Sequence, residues 1–318
     1  MELSKYIFFM DLAAMCTNVT LSFVLIPRFG AAGAAMASVT ADGVAATVIW
    51  LLAFRSAEFR QCWPGFSRQA WRRWCGFLRV GIPSVLLLGL EIWVWDAQTF
   101  IAGYISPVAQ ATNSVVPQFT CLMYAVGTAM GSGASSIVGK SLGEGQHKTA
   151  RRAAAAALSM TSVLMLLQLV LFFALRRQFP HIFTSDPALL ASISGLLPFC
   201  ICFSFLDGHQ CALTGILLGV GWQDVANPLI FFSYWVLGMP LGICLAFGYL
   251  NGKPWHLEGQ WTGMLVGVSC HTLAYIVAVL CVNWQRAASK ARERALQENQ
   301  EETNSMSAIG TSLVVCES

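Results

Sequence analysis

The chain has 318 residues, of which 56% are hydrophobic and 11% charged, with a formal net charge of +3. A water-soluble domain carries about 25% charged residues, and the mean hydropathy here is +0.61. Composition therefore excludes an ordinary soluble enzyme or nucleic-acid-binding module and defines a polytopic membrane protein. The 11 cysteines are odd in number and mostly sit inside apolar runs. They show neither zinc spacing nor a paired framework and read as small packing residues. The amino terminus lacks the basic region, short apolar core and cleavage site of a secretory signal.

A membrane-spanning helix needs about 20 mostly apolar residues. Eight stretches qualify: 6–26, 31–54, 78–104, 110–139, 150–175, 189–217, 225–250 and 259–284. The connections are short except for 55–77, where Arg55, Arg60, Arg68, Arg72 and Arg73 interleave with Trp63, Trp71 and Trp74. That mixture suits an amphipathic segment lying on an anionic membrane surface. When the chain starts inside and alternates, 15 of the 19 basic residues fall on the inner side. Arg28, Arg176, Arg177 and Lys253 are left outside. This division obeys the positive-inside rule and predicts cytoplasmic termini. The charged, Ala-rich tail from Gln285 is expected to begin as an exposed helix and then to fade into disorder.

Polar residues within the spans carry the functional signal. Glu91 and Asp96 stand in the middle of the third apolar run. A carboxylate at mid-membrane depth costs about 2.5–3.5 kcal/mol on insertion scales and is functional by default. Glu91 and Trp95 are four apart and share a helix face. Asp96 lies about 140° around from Glu91, so both reach one cavity only if the helix bends, for which Pro83 is a candidate. In the fourth span Asn113, Pro117, Thr120, Tyr124, Gly127, Gly131 and Ser135 recur at helical spacing, with Gln118 beside them. Lipid cannot satisfy such a stripe, so it faces protein or water, and its small members allow close helix approach. Tyr124 is suited either to stacking on a cation or to an interhelical hydrogen bond. In the sixth span Ser204, Gln210, Cys211 and Thr214 surround Asp207, and His209 points elsewhere as an interhelical partner. Glu91 and Asp207 are the candidates for holding a coupling proton or a cation. Asp11 and Asp42 read as packing carboxylates. No Walker loop, HExxH or GxSxG motif is present, so no enzymatic activity is expected.

A weak internal repeat relates the segment from Asn18 to that from Asn227, each pairing an apolar span with a Gly-led partner. Secondary transporters are often built from such repeats. The stretches IPSVLLLGLEIWVWD, GSGASSIVGKSLGEG, LTGILLGVGWQDVANPLIFFSYWVLGMPLG and GQWTGMLVGV, in this order, resemble the multidrug and toxin extrusion (MATE) transporters of eukaryotes.

The resemblance, covering roughly residues 18–284, implies an all-α fold with eight transmembrane helices. Residues 1–54 match the last two helices of the amino-terminal bundle, and 55–77 match the cytoplasmic linker between bundles. Residues 78–284 match a complete six-helix carboxy-terminal bundle, leaving 285–318 as a cytoplasmic tail. The first four helices of the family have no counterpart.

It also places the family's seventh-helix acidic position on Glu91, a second one on Asp96 and the tenth-helix one on Asp207. Aromatic positions fall on Trp95 and Tyr124. Gln118 departs from the usual glutamate. Glu91, Asp207 and Asp96 are thus the proton or cation-coupling candidates. Trp95, Gln118, Tyr124, Thr120 and Gln210 are the substrate-cavity candidates.

The function implied is secondary antiport, exporting organic cations or other amphipathic xenobiotics in exchange for protons, with sodium the alternative ion and no cofactor. Besides substrate and bilayer, partner helices replacing the four without counterpart are an expected association, and nucleic acid is not. The membrane is the plasma membrane or that of an organelle. Two other readings stand beside this one. One is a transport-inactive interaction protein or remnant, motivated by its incomplete first bundle. A lipid flippase of the wider superfamily would instead require basic residues in the central cavity.

Overall fold

A computed structural model describes residues 2–56, 74–250 and 252–293. The chain forms two compact units, Met1–Ile82 and Pro83–Ser318. All regular structure among the described residues is helical. Seven of these helices are long and apolar enough to cross a membrane. The remaining predicted span falls in a 32-residue helix whose only charged residues are Arg79, Glu91 and Asp96.

The first unit contains α1 (Glu2–Phe29) and α2 (Ala31–Arg55). Gly30, at φ 56°, makes the reversal between them, a backbone conformation that glycine adopts without steric cost. Gly33, Ala37 and Ala41 are the buried residues of α2 and recur every fourth position. This small-residue stripe brings α2 onto α1, and a Cβ on Gly33 would collide with the Leu25 carbonyl. Asn18 Nδ2 donates to Ser38 Oγ at 3.4 Å across the pair. Asp11 and Asp42 lie on exposed faces of this unit instead of packing within it. Of the predicted amphipathic linker, 55–77, residues 57–73 lie outside the described residues, and Trp74 already opens the next helix.

The long helix α3 (Trp74–Ile105) continues as α-helix through Pro83. Helix α4 (Pro107–Gly143) starts where Ser106 Oγ accepts from Ala109 N, with Pro107 at the first helical position. Helix α5 (His147–Leu175) is followed by a single turn, α6 (Pro180–Phe183). Asp186 caps α7 (Pro187–Val220) by accepting from Ala188 N at 2.8 Å, and Gly221 at φ 80° ends it. The span α8 (Gln223–Ala246) is α-helical to Phe231, π-helical over Phe232–Gly238 and α-helical again from Met239. Helix α9 (His256–Leu280) completes the spans.

Helix α7 is the centre of the second unit. It packs against α4, α5 and α9 and contributes Phe203, Leu213 and Leu217 to the main core, beside Phe119, Trp261 and Tyr275. Between apolar helices in lipid there is little hydrophobic drive, so close packing depends on small residues. One glycine seam joins α4 to α7, where a Cβ on Gly127 would lie 2.8 Å from Gly208 Cα. A second joins α8 to α9, where a Cβ on Gly238 would lie 3.2 Å from Gly267 Cα and one on Gly242 2.9 Å from the Gln260 carbonyl.

The tail departs from expectation. Residues 284–293 are helical and docked, not exposed throughout. Trp284, Ala287, Ala288 and Ala291 form one face against Val138, Leu142, Ala150, Ala154 and Ile216 at the ends of α4, α5 and α7. Their spacing makes an apolar stripe that the surrounding charges obscure in the sequence.

Candidate functional site

A cavity of about 440 Å³ opens between α3, α4, α7, α8 and α9 in the second unit. Its lining includes Ile92, Val94 and Trp95 from α3, and Pro117, Gln118, Thr120, Cys121 and Tyr124 from α4. Asp207 enters from α7, Tyr234 from α8 and Met264 from α9. Of the predicted site residues, Trp95, Gln118, Thr120, Tyr124 and Asp207 therefore meet around one space. Asp207 is 7% exposed and is the one carboxylate among the described lining residues.

The other predicted residues are distributed differently. Asp96 is exposed on α3 and does not line this cavity. Gln210 lines a neighbouring cavity of about 480 Å³ with Thr128, Ser132, Ser135 and Thr214, and Tyr124 borders both spaces. Its Nε2 donates to Thr214 Oγ1 at 3.1 Å. Glu91 lies on α3 one residue before the lining begins, and its side chain falls outside the described residues.

A polar scaffold fixes Trp95 behind the cavity wall. The Trp95 ring meets Phe203 edge-on at 5.3 Å and Trp261 at 6.1 Å. Trp261, fully buried, donates its indole N–H to Asn113 Oδ1 at 3.0 Å. Asn113 Nδ2 in turn donates to Thr99 Oγ1 at 3.2 Å, and Thr99 Oγ1 donates to the Trp95 carbonyl at 3.1 Å. A buried indole N–H and a buried amide each satisfied by the other lock the rotamers of both. Asn113 thus acts from behind the wall.

Tyr234 and Met264 were not singled out by sequence. The run FFSYWV gives Tyr234 one small polar neighbour, Ser233, and no charged or amide residue to mark it. Tyr234 lies in the π-helical segment, a feature that often accompanies functional sites. His209 behaves as an interhelical partner, as its position suggested. Its Nδ1 lies 2.8 Å from the Phe205 carbonyl, which can only accept. Its Nε2 lies 3.0 Å from Ser162 Oγ on α5, a hydroxyl that also donates to the Leu158 carbonyl at 2.9 Å.

Chemically, the described lining residues offer aromatic faces from Trp95, Tyr124 and Tyr234, a neutral amide from Gln118 and the Asp207 carboxylate. Aromatic faces attract cations, most strongly where water is excluded. No Lys or Arg is among the described lining residues.

These features define a multi-pass helical membrane protein with an acidic, aromatic cavity enclosed by packed spans. The MatE family model matches residues 83–244, half of the chain, which contain all the lining residues but Met264. The chain belongs to the MatE family of multidrug and toxin extrusion transporters. It is 27% identical over 286 residues to multidrug and toxin extrusion protein 1 of Mus musculus, covering 89% of this chain and 50% of that protein. Identity to the Xenopus tropicalis protein of the same description is 30% over 278 residues, covering 87% and 47%. Protein DETOXIFICATION 17 of Arabidopsis thaliana is 27% identical over 274 residues, covering 86% and 57%. The chain thus spans about half the length of the curated relatives it matches. Among solved structures, the eukaryotic MATE transporter AtDTX14 superposes with a TM-score of 0.76 at 27% identity, covering 90% of this chain and 64% of that one.

Proposed function

We propose that this chain moves organic cations or other amphipathic xenobiotics across a membrane in exchange for protons, with Asp207 at the exchange site. The observation that carries this reading is the placement of Asp207 with Trp95, Tyr124 and Tyr234 around one cavity. An ionised carboxylate there provides counter-charge to a cation whose apolar body lies against the rings. Protonation removes that counter-charge and favours release, so proton and substrate occupy the site in alternation. Glu91 and Asp96, on the helix that lines one wall, are assigned to proton delivery. By the resemblance, Gln118 takes a position that is usually glutamate in animal members, and as a neutral amide it adds no charge to the site.

Orientation follows from charge. The ends of α4 and α7, the start of α5 and the helix over 284–293 share one end of the second unit. Lys140, Lys148, Arg151, Arg152, Arg286, Lys290 and Arg292 belong to these segments. Such a basic end is retained in the cytoplasm, and the flux runs from that side outward. The flippase alternative finds no support in a cavity whose described lining residues include no Lys or Arg.

The test is flux of a fluorescent organic cation into proteoliposomes driven by a pH gradient. Asp207→Asn and Glu91→Gln are expected to abolish gradient-driven flux while leaving insertion intact. Normal transport by both variants would overturn the reading. Substitution of a sodium gradient, if it drove flux equally well, would replace the proton as coupling ion.

A further inference from the structure

At the basic end of the second unit, a groove of about 530 Å³ separates the turn after α7 from the helix over 284–293. It is lined by Trp222, Asn283, Arg286, Ser289, Lys290 and Glu293, with Ala287 at its floor. Arg286 and Lys290 are four residues apart and so project from one helix face. Among the described residues neither cation has an acidic partner, although Glu293 shares the groove. The helix that carries them is held in place by Ala288, 4% exposed, and by Trp284 and Ala291 against the bundle. Two cations are thereby carried on one docked helix at one opening, beside Trp222 and a Ser289 hydroxyl that already donates to the Gln285 carbonyl at 3.1 Å. A guanidinium and an ammonium at one opening are the charged donors a phosphate site uses.

We propose that this groove binds the phosphate of an anionic phospholipid. Two features favour a lipid over a soluble anion. First, the groove lies at the ends of three spans, beyond Val220 and Leu280 and before Gln223, which is the depth of the headgroup layer. Trp222 has the amphipathic character of residues that settle at that depth. Second, the last turns of α9, which end three residues before the groove's Asn283, carry an exposed apolar stripe. Leu273, Val277 and Leu280 are 62%, 54% and 78% exposed, and their spacing of four and three places them on one helix face. A cationic pocket at the head of an apolar track matches a phosphate with acyl chains attached. Whichever way the chain is oriented, this end meets a headgroup layer, so the site stands independently of the transport reading.

Native mass spectrometry on the delipidated full chain, titrated with phosphatidylglycerol or phosphatidylcholine, tests the proposal. One tightly retained phosphatidylglycerol per chain is expected, in clear preference to phosphatidylcholine. Each juxtamembrane cation contributes a roughly fivefold factor to anionic-lipid affinity. Arg286→Gln and Lys290→Gln should therefore each weaken retention about fivefold, and the pair by more than tenfold. Arg286→Lys keeps the charge and should retain most of the binding, and Leu280→Ser should weaken it. The pair Arg151→Gln and Arg152→Gln, on α5, should leave retention unchanged. Undiminished binding by the Arg286 and Lys290 pair overturns the proposal. So does equal loss in the α5 pair, which would mean diffuse attraction. Displacement of the lipid by excess inorganic phosphate, or no loss in Leu280→Ser, would overturn it in favour of a soluble anion.

Discussion

Gly215 on α7 lies directly against Gly131 on α4, so close that a Cβ on Gly215 would fall onto the Gly131 carbonyl. The approach continues at Gly219, where a Cβ would stand 2.9 Å from the Ser135 carbonyl. Overpacking a closely fitted contact costs about 1–3 kcal/mol, and here the obstacle is backbone, which cannot rotate aside. Gly215→Ala should lower the yield of folded protein and its melting temperature in detergent, measured by fluorescence-detected size exclusion. Gly133→Ala, which would meet nothing within 4 Å, should change neither.

The hydrogen bond from Trp261 to Asn113 predicts a stability effect without a change in the cavity lining. Trp261→Phe leaves Asn113 Oδ1 short of its buried donor, at a cost of about 1–3 kcal/mol. Thermal unfolding should register this loss. Combining Trp261→Phe with Asn113→Ala should cost less than the sum of the two, since the residues act as a pair.

Tyr124 borders both interior spaces and is 38% exposed. If its ring serves a cationic substrate, Tyr124→Phe retains affinity and Tyr124→Leu loses roughly 2- to 30-fold, the range of a cation–π contact. Binding of a fluorescent organic cation measures the difference. Equal loss in both variants would assign the effect to the hydroxyl instead of the ring.

His271 on α9 is fully buried between Tyr234 and Tyr275, with ring centroids at 5.5 and 4.2 Å. Neither ring nitrogen has a hydrogen-bond partner among the described residues. Burying an unsatisfied polar ring is costly, and an apolar ring of similar shape removes that cost. His271→Phe should therefore raise thermal stability by about 1 kcal/mol. A lower melting temperature would show that the imidazole is satisfied in the working protein.

The docked tail gives a further measurable outcome. Ala288→Glu places a charge in the small core formed with Val138, Ala150 and Ile216. The helix over 284–293 should then release, and trypsin should cut after Arg286, Lys290 and Arg292 at least about tenfold faster, as expected for a local opening. Ser289→Glu, on the exposed side of the same helix, should not have this effect.

Much of this architecture is legible in the sequence because a bilayer imposes its length on every span. Each of the eight apolar runs has a helix, and most of their ends lie near a proline, a cap or a glycine that the chain displays openly. Asp207 and the Tyr124 stripe are legible for a related reason: polarity is conspicuous where lipid surrounds the chain. The same physics hides Tyr234 and Met264. In a span, lipid-facing and core-facing positions are both apolar, so no hydrophobic periodicity marks which residues turn inward. The tail misleads in the opposite way, because its flanking charges mask a face of four apolar residues. Gln210 follows Asp207 by three positions, yet it serves the adjoining space, one turn nearer the basic end.

The π-helical segment of α8 gives that span two phases. An α-helix repeats every 3.6 residues, and a π turn takes up an additional residue before the repeat resumes. Tyr234 is set to the cavity within this segment, whereas Gly238 and Gly242 are set to α9 at its end and beyond it. Tyr234 also meets His271 of α9, so the segment joins the wall to the start of the seam, and the offset brings the rest of the seam into register. Removing one residue between Phe232 and Gly238 would erase the offset, and the span would then satisfy either the cavity or the seam, but not both.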